Sequence, residues 1–197
     1  MFHPKDWTRG PHRGPPFDGN ITFTRQVTFY DSTGAEMDAY DPQLTASVRI
    51  VTSLEGSRSR TGQYGTMEMT ISRSRDFTVS GLLGEETERT WNATGSSDVN
   101  RVRTTDDNGL RTYDMSMNTT ITNVVIPVPR GSGWPVSGTI TRDVTVQVVT
   151  GLDDTRTRQR TVTITFNGTQ FVPITISDRT CTLDLLAKEV TCESGTS

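Results

Sequence analysis

The stretch GTITRDVTVQVVTG, residues 138–151, decides the fold. Ile140, Arg142, Val144, Val146 and Val148 recur at every second position, with Thr, Asp and Gln between them. A strand sends alternate side chains to opposite faces, whereas a helical stripe returns about every 3.6 residues. The period of two predicts a half-buried strand. Part of this stretch, TITRDVTV at 139–146, is echoed by TFTRQVTF at 22–29, SRSRDFTV at 72–79 and, more loosely, TRQRTVTI at 157–164. Each echo sets an arginine in step with apolar residues at the start of a β-type run.

The same alternation runs outward along the chain. It aligns Ile21, Phe23, Arg25, Val27 and Phe29, then Val48, Ile50 and Leu54. In 66–81 it aligns Met67, Met69, Ile71, Arg73, Arg75, Phe77 and Val79, a long strand expected to bulge between its arginines. Residues 110–129 begin with Tyr113, Met115 and Met117 in step and then change phase. Shorter runs follow at 160–166, 171–176 and 181–192. Turn signals separate them: DSTG at 31–34, DDNG at 106–109, and FNGT at 166–169, the strongest hairpin signal. Pro173 inside its run predicts an edge or bulged strand. No segment carries a helical stripe.

These runs predict an all-β domain over 20–197, an antiparallel meander of roughly ten strands. A sheet of that size curls, so a strongly curved sheet or an up-and-down barrel is expected, with a two-sheet sandwich as the alternative. Residues 1–19 are rich in Pro and Gly, carry no period and read as a loose N-terminal arm.

Composition agrees with sheets that are apolar on one face only. The chain has 197 residues, 31% of them hydrophobic, and 35 threonines. Threonine favours strands and tolerates water. A formal charge of -3 gives no basis for general nucleic-acid binding. Among 20 basic residues 18 are arginines, with only Lys5 and Lys188 as lysines. No apolar run reaches the ~20 residues of a membrane helix, and the start of the chain has no signal core. Either the protein is cytoplasmic or its signal peptide is absent from this sequence; the cysteines favour the second reading, an exported protein that is periplasmic, cell-surface or extracellular.

Cys181 and Cys192 support that compartment. The run CTLDLLAKEVTC folds into a hairpin about Leu186 and Ala187, which sets the two cysteines opposite one another and Leu183 opposite Val190. That register predicts a disulfide.

Catalytic signals are poor. Both histidines, His3 and His12, lie in the N-terminal arm. No nucleophile elbow, zinc motif or phosphate loop occurs. Glu85, Glu86 and Glu88 form a solvated turn before they form a hydrolase pair, and the acidic segment 31–41 lacks calcium-loop spacing. The chain is read as a non-enzyme with no metal and no cofactor.

The candidate ligand-binding residues are Arg25, Arg75, Arg142 and Arg160. A buried guanidinium must be paired. Either each arginine sits at the rim of the sheet and pairs with an acid, or several converge to hold an anion. The expected function is binding of a ligand or protein partner. One alternative is a surface or filament protein that self-assembles through an edge strand and the N-terminal arm. The other is a carrier of an acidic small molecule or lipid.

Overall fold

The computed structural model describes residues 18–62, 65–104, 109–129, 131–151 and 154–192. The expected N-terminal arm lies outside the described residues, apart from Asp18 and Gly19, which open the first strand. Most of DDNG lies outside them too, though Thr104 and Leu110 on either side are paired.

Eleven strands follow in chain order: β1 (Asp18–Tyr30), β2 (Glu36–Met37), β3 (Ser47–Gly62), β4 (Gly65–Ser80), β5 (Glu88–Thr104), β6 (Leu110–Pro127), β7 (Ser137–Thr150), β8 (Asp154–Thr165), β9 (Phe171–Ile176), β10 (Arg179–Asp184) and β11 (Glu189–Thr191). All belong to one antiparallel sheet in the order β11-β10-β9-β8-β7-β6-β5-β4-β3-β1-β2. The described residues contain no helix. From β3 onward the sheet is the expected meander. Its first turn differs: β2 pairs only with Phe29 and Tyr30 on the outer flank of β1, and the chain then crosses to pair β3 on the inner flank. The crossover is fixed by Asp41, which accepts bonds from the Gln43 and Leu44 amides, and by fully buried Thr45, whose hydroxyl accepts the Asp41 amide at 2.9 Å.

The strand order corrects two expectations. β2 and β11 end the sheet without pairing to each other, so among the described residues no barrel closes and no second sheet forms to make a sandwich. β4 also runs unbroken through Arg73 and Arg75 and is not bulged there. The bulge lies in β6, where the register shifts between Thr122 and Val125. Asn123 takes a φ of 48° there, and its amide is held by the Asn92 side chain at 2.8 Å. This is the phase change visible in the sequence. FNGT is wider than a two-residue turn: β8 and β9 are joined by residues 166–170, folded around the Asn167 carboxamide. Pro173 is tolerated because pairing with β8 stops at Ile174, which leaves its missing N–H without a ladder to serve.

Directly opposed residues of an antiparallel pair share a face. One face carries the apolar residues; the other is built from Thr, Ser, Asn, Gln and acids. Ladders such as Thr94, Thr120, Thr141, Thr163 and Thr175 run straight across it. Hydroxyl pairs Thr24–Ser53 at 2.7 Å and Ser74–Ser96 at 2.8 Å bridge strands on that polar face.

A core forms at one end of the apolar face only. The buried hydrophobic residues are Val79, Ala93, Val124, Val172, Ile174 and Cys181. They lie near the end where the long connections 31–46, 81–87, 128–136 and 166–170 gather. Phe77 and Trp91 meet there edge-on at 5.1 Å. Towards the hairpin ends of β3 to β8 nothing described covers the apolar face.

Candidate functional site

Charge is divided between the two faces. Glu55, Glu68, Asp76, Asp98, Asp114, Asp143 and Asp184 register on the polar face. Of the strand arginines only Arg49 joins them, in a two-pronged ion pair with Asp76 at 2.9 Å through Nε. The remaining strand arginines register with apolar residues, and on that face Asp154 is the sole strand acid among the described residues.

Three of the four expected arginines fall in a single line across the sheet. Arg25 pairs Thr52, Thr52 pairs Arg75, Arg75 pairs Gly95, Gly95 pairs Thr119, and Thr119 pairs Arg142. Arg160 is opposite Val144, one same-face position further along, and is exposed. Among the described residues none of the four makes a side-chain hydrogen bond or ion pair. Glu86, in the turn before β5, accepts bonds from the Leu83 and Gly84 amides. The backbone amide of Glu86 itself, and then those of Leu83 and Gly84, hold its carboxyl below the usual range.

A hollow of about 410 Å³ lies on this line. Arg73 and Arg75 stand over it, Ala93, Gly95 and Ser97 are its small residues, and Phe23, Leu54, Met117 and Ile121 supply apolar sides. No carboxylate among the described residues lines it. Buried Ser97 accepts a bond from Arg73 Nε at 3.1 Å, which fixes the Arg73 stem. The hollow exists because the middle of β5 is small: Gly95 contributes no side chain between two bulky neighbouring strands. The hollow brings Arg75 together with Arg73, a residue in step in the sequence but not singled out. Arg25 and Arg142 lie on the same line at either side, and Arg160 is outside it.

A second hollow of about 490 Å³, missed in the sequence, sits near the hairpin ends and is lined by Arg111, Arg156 and Arg158 with Val146, Val148 and Asp154. Asp154 pairs with Arg156 at 3.4 Å. Close by, Arg101 lies over the Tyr113 ring at 5.8 Å.

Cys181 and Cys192 form the expected disulfide, and Leu183 is opposite Val190 as the hairpin register requires. In the acidic segment 31–41, Asp31 accepts from Thr33 and the Ala35 amide, which holds its carboxyl below the usual range. With Asp41 also bonded to its own turn, those carboxylates shape the chain. No group of three acid, His or Cys side chains among the described residues is placed to hold a metal ion. No described helix is long and apolar enough to cross a membrane.

Comparisons with protein-family models, curated proteins and solved structures return no match for this chain.

Proposed function

We propose that the protein binds an anionic amphiphile on its apolar face, as a carrier or receptor outside the cytoplasm. One observation carries this reading: guanidinium charge with no described carboxylate beside it stands over a hollow walled by Phe23, Leu54, Ala93, Met117 and Ile121 together with Ser and Thr hydroxyls. A hydrated anion gains from the arginine forks, and an attached hydrocarbon gains from covering the bare apolar strands. The volume lies within the range of small-molecule sites. Arg75 and Arg73 take the headgroup. Arg25 and Arg142, on the same transverse line, extend the positive strip. Arg160 is not needed. The Cys181–Cys192 disulfide suits an oxidising compartment.

The test is native mass spectrometry of the purified protein with extraction of bound lipid, followed by reloading of stripped protein with a fatty acid. A retained acidic amphiphile, displaced by added fatty acid, supports the reading. Protein that is bare and takes up no fatty acid overturns it. A second reading, a self-assembling surface protein, is favoured by the uncovered flank of β1.

A further inference from the structure

Two stretches of strand, on β1 and β8, have no described strand on one side, and they differ in kind. β2 covers only Phe29 and Tyr30 of β1, so residues 18–28 have no described strand on their outer side. β9 covers Val162, Thr163 and Ile164 of β8, and the Thr161 carbonyl accepts the Ser177 amide, so residues 154–160 have no described strand on that side. Bare edges template pairing with another chain unless charge, proline or a bulge blunts them. The β8 edge carries Arg156, Arg158 and Arg160 at alternate positions. Any symmetric antiparallel pairing centred on it that keeps the faces matched sets arginine against arginine, and like charges directly opposed repel. The β1 edge has no such guard. Its apolar residues are exposed, with Phe23 at 59% and Ile21 at 42%.

The geometry points to a homodimer in which β1 pairs antiparallel with β1 of a second copy, centred on Phe23. Hydrogen-bond parity selects the register. The Ala46 amide bonds the Tyr30 carbonyl on the β3 side, and the Asp31 amide bonds the Ala35 carbonyl on the outer side. Alternation then sends the backbone groups of Ile21, Phe23, Arg25 and Val27 outward. Two outward-pointing residues must meet, and the faces must match, so odd positions pair with odd positions. Among such registers, the one centred on Phe23 uses the whole bare run: its midpoint falls on that residue. Phe23 then lies beside its twin, Ile21 opposes Arg25 of the second copy, and Gly19 opposes Val27. On the polar face Thr22 opposes Thr24 and Asn20 opposes Gln26. No like charges meet among these pairs. The dimer joins two eleven-stranded sheets with both apolar faces on one side.

Sedimentation equilibrium of the full chain should give about twice the monomer mass of 21.8 kDa. Ile21→Pro removes an amide that the single chain leaves unused, so it should keep the β-type circular dichroism and weaken dimerisation at least tenfold. Register is read separately by single cysteines added to the disulfide-bonded protein. Phe23→Cys places two thiols on the symmetry axis, with Cα atoms ~5.5 Å apart, within disulfide reach. Val27→Cys places them eight residues apart along the ladder, ~27 Å, out of reach. Mild oxidation should cross-link the first and not the second, even if the proline variant fails to fold. A monomer at every concentration overturns the proposal, whether the β1 edge stays bare or is taken by the chain's own first residues. So does equal cross-linking at both positions. Neither result depends on whether an amphiphile binds.

Discussion

Arg25 and Arg75 flank Thr52 on the same face of the sheet, each its direct register partner from one side. Two strand spacings separate them, about 10 Å at the backbone. Their long side chains can approach a shared anion from both sides, yet no described carboxylate lies between them. Two cations held this way with no counter-charge repel one another until an anion arrives, so the arrangement favours a ligand over an empty surface.

Arg75→Met keeps the apolar stem and removes the charge. It should weaken binding of a fatty acid at least tenfold, about 1.4 kcal/mol. Arg160→Met should leave binding unchanged, because Arg160 stands outside the hollow. The wild-type affinity should fall with added salt, and the Arg75→Met affinity should fall less. Titration of stripped protein at two ionic strengths reads all three. Equal losses for both variants would show that only overall charge matters.

Much of the fold was legible because alternation is a strong signal where one face is apolar. It located β1, β4, β6 and β7, parts of β3 and β8, the phase change in β6 and the cysteine hairpin. It stopped short where a strand continued with few or no apolar residues. The second halves of β3 and β5 and the first half of β8 hold Arg58, Arg60, Arg101, Arg103, Arg156 and Arg158 with Ser, Thr and Asn. These segments are strands because their neighbours are, and a single sequence does not reveal that support. The hollow near the hairpin ends was missed for the same reason. The line of Arg25, Arg75 and Arg142 rests on the relative register of six neighbouring strands, β1 and β3 to β7, which local pattern cannot provide. Arg73 was within reach, since it shares a strand and a face with Arg75. The barrel expectation failed because strand number alone does not decide closure; the bare flanks of β1 and β8 do.

Reduction should act locally. The disulfide closes a short loop around β11, a three-residue strand that is exposed throughout. Chain-entropy reasoning puts the effect of such a loop at roughly 3 kcal/mol. β10, however, is also held by its full ladder with β9. In the Cys181→Ala/Cys192→Ala variant, hydrogen exchange should quicken in residues 185–192 while β3 to β7 keep their protection. Global loss of protection would mean the hairpin closes the whole sheet edge.

Acid should destabilise the fold. Hydrogen bonding from Arg49 holds the Asp76 carboxyl below its usual range, and the Ala187 amide with Gln170 does the same for Asp184. A carboxylate with a depressed folded pKa adds stability above its unfolded value of ~3.9, and that stability is lost as pH falls through the folded value. The melting temperature should therefore hold near neutrality and fall below about pH 4. Asp76→Asn should flatten part of that fall. Because Arg49 and Asp76 are both well exposed, the effect should shrink in high salt. Thermal melts across pH for the two proteins decide it.

Gly95 tests whether the hollow is the site. A glycine within a strand costs roughly 0.5–1 kcal/mol relative to alanine, so its presence needs a reason. Its backbone is not the reason, because Gly95 is absent from the residues with positive φ. Space is: a Cβ there would meet the Ser74 carbonyl at 3.1 Å, a tight contact, and then point into the open hollow beside Arg75. Gly95→Leu should therefore fold, with little loss or a gain in melting temperature, since its side chain covers bare apolar neighbours. It should also occupy the hollow and abolish fatty-acid binding, while Gly95→Ala gives an intermediate affinity. Calorimetry and ligand titration on the same samples separate the two effects. A leucine variant that is stable and binds as well as the parent would place the ligand elsewhere, with the arginine-lined hollow near the hairpin ends as the next site to block.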